Sequence, residues 1–194
     1  MEDSNIFAEV EAQGAKLGLP EGFYPKLLEE DDWSFVIKLN ALVEAACSDA
    51  LAARLHAPQL SACLATLDLG HAKHGKVALL RTLGAIEKEQ SDVLQMLYEL
   101  RNRLAHNISA VGFSFGAYIN GMDEKQVASF VRRAGHGITD EPVGQGRKTF
   151  VLANPKLSMW LTVAEILACL HLEHDVAELR LFKMALQSLN GEVK

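Results

Sequence analysis

No two cysteines stand at a spacing that makes a metal knuckle or a disulfide frame. Cys47, Cys63 and Cys169 lie far apart, each in an apolar, helix-like context. That pattern predicts three reduced core thiols in a cytoplasmic protein. Long apolar runs are missing as well. The most hydrophobic stretch, "LSMWLTVAEILACLHL", carries Glu165 and His171 and stops short of a spanning length. The opening "MEDSNIFAEVEAQ" has no basic start followed by an apolar run, so neither secretion nor a membrane partner is expected. Positive charge is also scarce. Nineteen Lys and Arg against 25 Asp and Glu give a net charge of −6 and a pI near 5.6, so any contact with a polyanion must be local. No internal repeat or low-complexity run is visible. What remains is a chain of 194 residues, 49% hydrophobic and 23% charged, the balance of one globular domain over 1–194.

The periodicity is helical almost throughout. Asp31 or Asp32 can cap a helix whose apolar positions Phe35, Leu39, Leu42, Ala46 and Ala50 recur at three- and four-residue steps, with Pro58 marking its end. Val77, Leu80, Leu83 and Ala85 mark a second helix between Gly75 and Gly84. After "EKEQ", a third begins near Ser91 with Val93, Leu97, Leu100 and Leu104 as its stripe. Residues 111–153 hold most of the remaining glycines and read as a loop-rich insertion, loops or a small hairpin with a strand-like "TFVLA". One helix interrupts it, since Asp123 with Gln126 is a capping-box pattern and Gly135 suits the C-cap. Asn154-Pro155 starts a last helix over 154–190. A rod of that length implies either a break near His171 to Asp175 or an apolar face used in a dimer. The expected fold is thus all-α, a helical core over 30–110 with a glycine-rich insertion before a long C-terminal helix.

Where the third helix should end stands "YELRNRLAHNIS". Arginine offers a planar fork that can hold a phosphate, and histidine can carry a proton near neutral pH. Together they are the minimum equipment for metal-free RNA cleavage, in which the 2′-hydroxyl attacks the neighbouring phosphorus. The plain alternative is a basic last turn that complements the helix macrodipole. On an ideal helix Asn102 and His106 share the face almost opposite the leucine stripe, with Arg101 and Arg103 on either side. Arg101 and His106 diverge by roughly 140°. One continuous helix therefore does not aim both at one small group; the helix frays near His106, or two copies combine.

The segment resembles the signature of the HEPN superfamily: Arg101, then the polar Asn102, then Arg103-Leu104-Ala105, then His106. The preceding "KVALLRTLGAIEKEQSDVLQMLYELRNRLAH" is similar to the mannitol operon repressor-like branch, and "DWSFVIKLNALVEAACSDAL" resembles its opening helix, with Glu44 as a polar residue in an apolar stripe. The resemblance covers residues 30–110. It implies an all-α HEPN-like bundle, a homodimer with two motifs facing one cleft, and a metal-independent endoribonuclease of toxin–antitoxin or antiviral systems needing no cofactor. Arg101 and His106 would be catalytic, Asn102 would position them, Arg103 would bind RNA, and a cognate antitoxin or regulatory protein would be a partner. Ile108 stands where many toxin members carry tyrosine. The repressor-like branch implies the other reading, a non-catalytic regulatory or binding protein. There the Arg101 fork ties an acidic side chain, Glu44 or Glu99, and His106 closes the helix end.

Three further patterns weigh less. "GFSFG" fits a nucleophile elbow on Ser114, with His136, His171 or His174 as base, but the elbow needs a strand before it and the chain reads as helices. "GQGRKT" lacks the upstream glycine of a phosphate loop. His71 with His74, and His171 with His174, are spaced for one helix face but lack the carboxylate pattern of a di-metal bundle, and read as solvated or capping histidines.

Overall fold

The computed structural model describes residues 14–15, 18–138 and 146–191, and every regular element among them is helical. After α1 (Phe23–Glu29), α2 (Asp32–Arg54) is the central rod. Asp31 starts it by accepting the Ser34 backbone N–H at 3.0 Å. The hydrogen bonds from Ser34 hold the Asp31 carboxyl below its ordinary pKa. Phe35, Leu39, Leu42, Ala46 and Ala50 are buried as their spacing predicts, and so are Val36, Val43, Cys47 and Leu51 on the flanks. Apolar residues on several sides mean that α2 must be surrounded. It is, by α3 (Ser61–Ala65), α4 (Lys76–Thr82), α5 (Lys88–Ala105) and α9 (Pro155–Gly191).

Lys76, fully buried at the start of α4, sends its ammonium to Glu44 Oε1 and to the Ala65 carbonyl, each at 3.1 Å. The polar interruption of the α2 stripe therefore anchors a buried cation. Cys47, one turn from Glu44, has its thiol pushed up to about 12 by burial. Of the three expected core thiols only Cys47 is enclosed; Cys63 is exposed and Cys169 half-buried.

Helix α5 begins at Lys88, three residues before the expected start. The "EKEQ" expected to precede the helix supplies its N-cap and first turn, with the Glu87 backbone N–H donating to Gln90 Oε1 at 2.9 Å. The insertion departs further from expectation. Neither a hairpin nor a strand occurs among the described residues. A 3₁₀ turn (Ile108–Gly112) leads to α6 (Phe115–Asn120), α7 (Glu124–Ala134) and α8 (Gly146–Ala153). Asp123 and Gln126 form the capping box that starts α7, and Gly135 is its C-cap. "TFVLA" is helical, with Val151 turned into the core. Besides capping α7, Gly135 marks a close approach: a Cβ there would stand 2.7 Å from Val151 Cγ2 and 2.8 Å from Arg147 Cγ.

Asp32 gathers three helix starts. It accepts the Phe115 N–H at 2.8 Å and pairs with Lys156 at 2.8 Å, and Lys156 also donates to the Glu30 carbonyl at 2.6 Å. Helix α9 then runs 37 residues, about 55 Å, without a break at His171 to Asp175, the first of the two outcomes its length implied. Its first half packs Met159, Trp160, Val163, Ile166, Leu167 and Leu170 into the core, largely against α2. No described helix is long and apolar enough to cross a membrane.

Candidate functional site

Leu100 and Leu104 are 3% and 2% exposed, and this burial fixes the rotation of the last turns of α5. Trp33, on the first turn of α2, donates its indole N–H to the Leu104 carbonyl at 3.5 Å and braces the helix end. The helix is regular through Ala105. His106 is the C-cap, at φ −92° and ψ 4°, and its N–H still donates to the Asn102 carbonyl at 3.2 Å. Since the helix does not fray before His106, the roughly 140° between Arg101 and His106 stands within one chain.

On one side of α5, Arg101 donates from Nη1 to Asn102 Oδ1 at 2.9 Å. Asn102 lies against the Tyr98 hydroxyl one turn back, and Tyr98 donates to Asp68 Oδ2 at 2.6 Å. Asp68 Oδ1 accepts the Gly70 N–H at 2.9 Å. The bond to Asp68, then burial, pushes the Tyr98 phenol above its ordinary value, while Asn102 and Arg101 pull it down. The Tyr98 ring lies directly over Gly70, where a Cβ would collide with it. The face expected to be open, opposite the leucine stripe, is therefore partly covered by the 68–70 loop, and Arg101 and Asn102 are half-buried. Neither acid expected to tie Arg101 does so: Glu44 holds Lys76, and Glu99 accepts from Gln95 at 3.0 Å. Among the described residues, no carboxylate pairs with Arg101.

Arg103, on the other side, is exposed, and so is His106, which stands about 60° from Arg103 and about 40° from Asn102 around the helix. The Arg103 guanidinium lies 5.0 Å above the Tyr118 ring centroid. Tyr118 meets Phe130 edge-on at 6.2 Å and Phe113 in a tilted contact at 5.6 Å. Arg103 and Tyr118 form one wall of an open cleft of about 470 Å³ between α5, α6 and α7, which Lys125 and Arg133 complete above Met96 and Phe130. Among the described residues of the lining Asp123 is the sole carboxylate, and its Oδ1 is engaged as the cap of α7. Three cations facing one carboxylate make this a locally basic surface on an acidic chain.

The structure thus joins Arg101 with Asn102, leaves Arg103 and His106 exposed, and does not bring Arg101 and His106 together. Tyr98, Asp68, Tyr118, Lys125 and Arg133 carry no signal in the sequence beyond Tyr98 standing four residues before Asn102. The other patterns resolve plainly. Ser114 caps α6 by accepting the Ala117 N–H at 3.2 Å, with no strand before it. His71 and His74 are stacked 4.8 Å apart, and His71 Nδ1 accepts the backbone N–H groups of Lys73 and His74 at 3.3 and 3.2 Å. His171 lies 3.9 Å from Asp175. The side chain of His174 and residues 144–145 of "GQGRKT" lie outside the described residues, as does the "MEDSNIFAEVEAQ" segment. No protein-family model, no curated protein and no solved structure matches the chain.

Proposed function

We propose that the chain is a metal-independent endoribonuclease of the HEPN type, a toxin or antiviral defence component acting in the cytoplasm, whose site is assembled by two copies. The observation that carries this reading is Arg101. Its guanidinium stands half-exposed at a helix end with no carboxylate paired to it among the described residues, and both acids that would have made it a structural tie are spent elsewhere. An arginine without a counter-ion is equipped to take up the charge of a phosphate.

In the complete site, His106 of one copy removes the proton from a ribose 2′-hydroxyl. The oxygen then attacks phosphorus, the bond to the 5′ oxygen breaks as that oxygen takes up the proton from His106 and leaves as a hydroxyl, and a 2′,3′-cyclic phosphate results. Arg101 of the other copy offsets the charge that develops on the phosphoryl oxygens, with Asn102 fixing the guanidinium. The Arg103, Lys125 and Arg133 cleft takes the neighbouring backbone, and the Tyr118 ring offers a face for a splayed base. The purified chain should cut RNA in the presence of a chelator, and both Arg101→Ala and His106→Ala should abolish cutting. Undiminished cutting in either variant would remove that residue from the mechanism.

The alternative is a non-catalytic HEPN-like regulatory or binding protein, similar to the mannitol operon repressor-like branch. The bonded series from Arg101 through Asn102 and Tyr98 to Asp68 favours it, because such a series also braces a helix against a loop. RNA left intact by the wild type, together with a large loss of thermal stability in Arg101→Ala, would select it.

A further inference from the structure

The second half of α9 leaves the core but stays apolar along one side. Leu172, Leu179 and Phe182 are 60%, 68% and 65% exposed, and Val176 is 37% exposed. Around the helix, taking Leu179 as the origin, Leu172 lies about 20° away, Asp175 and Lys183 about 40° to either side, and Val176 and Phe182 about 60° to either side. These residues form one stripe about 120° wide with Leu179 at its centre. Met184, also exposed, stands about 140° away and is not part of it.

The stripe is its own complement. In two antiparallel helices related by a two-fold axis at Leu179, residues equidistant from 179 face each other. Leu179 meets Leu179, Val176 meets Phe182, and Asp175 meets Lys183, the last two pairs occurring twice. A parallel arrangement would instead set Asp175 against Asp175 and Lys183 against Lys183. We infer that the exposed half of α9 binds a second copy of this chain, antiparallel, with the two-fold axis at Leu179. Opposite charges at equal distances on either side of a hydrophobic centre serve a second copy, and few other partners would match them. This contact is a different one from that of the nuclease reading: Trp33 and Lys156 hold the end of α5 at the start of α9, about 35 Å along the helix from Leu179, so the antiparallel pair keeps the two α5 motifs apart and a site made by two copies needs a second contact between chains.

The test is sedimentation equilibrium of the full chain and its variants, with circular dichroism to verify that each is equally helical. Wild type should be a concentration-dependent dimer. Asp175→Lys turns two attractions into repulsions and should raise the dissociation constant about tenfold. Adding Lys183→Asp should restore the wild-type constant, because the exchanged charges again face opposite partners. Orientation is read by oxidation in a Cys63→Ser background. Val176→Cys and Phe182→Cys chains should crosslink when mixed, and neither should crosslink alone. A monomer at all concentrations, a dimer indifferent to Asp175→Lys, a double variant no tighter than the single one, or self-crosslinking of Val176→Cys would each overturn the proposal.

Discussion

The two sides of the last turn of α5 carry the same kind of residue and use it differently. Arg101 lies down on Asn102 within a bonded series that ends on the 68–70 loop, whereas Arg103 rests on an aromatic ring at the lip of an open cleft. The first side is braced, the second accessible, and His106, exposed, stands between them, about 40° from Asn102 and about 60° from Arg103. Two arginines two positions apart thus differ because of what the rest of the chain brings beside them: a short loop for one, and α6 and α7 for the other.

The largest way to break this comparison is to remove the chemistry. His106→Ala should lower RNA cutting by about 100-fold or more, the usual weight of a general acid–base group. Because the side chain is exposed, the thermal midpoint should stay within about 1 °C of wild type. Equal losses of cutting and midpoint would make His106 a structural cap.

The braced side is tested next by Gly70→Ala. The new methyl group collides with the Tyr98 ring, and denaturant unfolding should show a loss of about 2 kcal/mol. An unchanged midpoint would mean that the loop does not hold Tyr98 in place.

Tyr98→Phe should cost about 1 kcal/mol near neutral pH, as one hydrogen bond to a carboxylate is lost. It also has a pH signature. Folding raises the Tyr98 phenol above 10.0, so its contribution is fully present below that pH and is lost as pH rises through the higher folded value. Wild type should therefore lose stability above pH 10 more steeply than Tyr98→Phe. Parallel alkaline curves would contradict the bond to Asp68.

The smallest effects belong to the open side. Arg103→Ala and Arg133→Ala should each weaken RNA binding across all sequences and reduce the salt slope by about 1, with stability changed by less than about 1 kcal/mol. Binding indifferent to both would take the cleft out of the RNA path.

Much of this molecule was readable along the chain wherever the determining contacts are local. The α2 stripe, the capping box at Asp123, the start of α9 and the order of residues on the last turn of α5 all follow from spacings of three and four. Pairings across long separations were not readable. Glu44 stood out as a polar residue in an apolar stripe, but its partner Lys76 lies 32 residues away; Tyr98 meets Asp68 across 30. Glycine content misled most in the insertion: Gly135 is the helix C-cap that its position indicated, but that it also lets α7 and α8 touch was not legible from composition. "TFVLA" misled for a related reason. A short apolar run with a threonine suits a strand until it is known that Val151 is enclosed in the core and Leu152 packs partly against it.

The central claim is that Arg101 and His106 act together only across two copies, and complementation tests it most directly. Arg101→Ala and His106→Ala chains, each inactive alone, are mixed under conditions that let copies exchange, and RNA cutting is measured with chelator present. A composite site pairs the intact His106 of one variant with the intact Arg101 of the other, so the mixture should regain a substantial fraction of wild-type cutting. A mixture as inactive as its two components, from a wild type that cuts, would contradict the account.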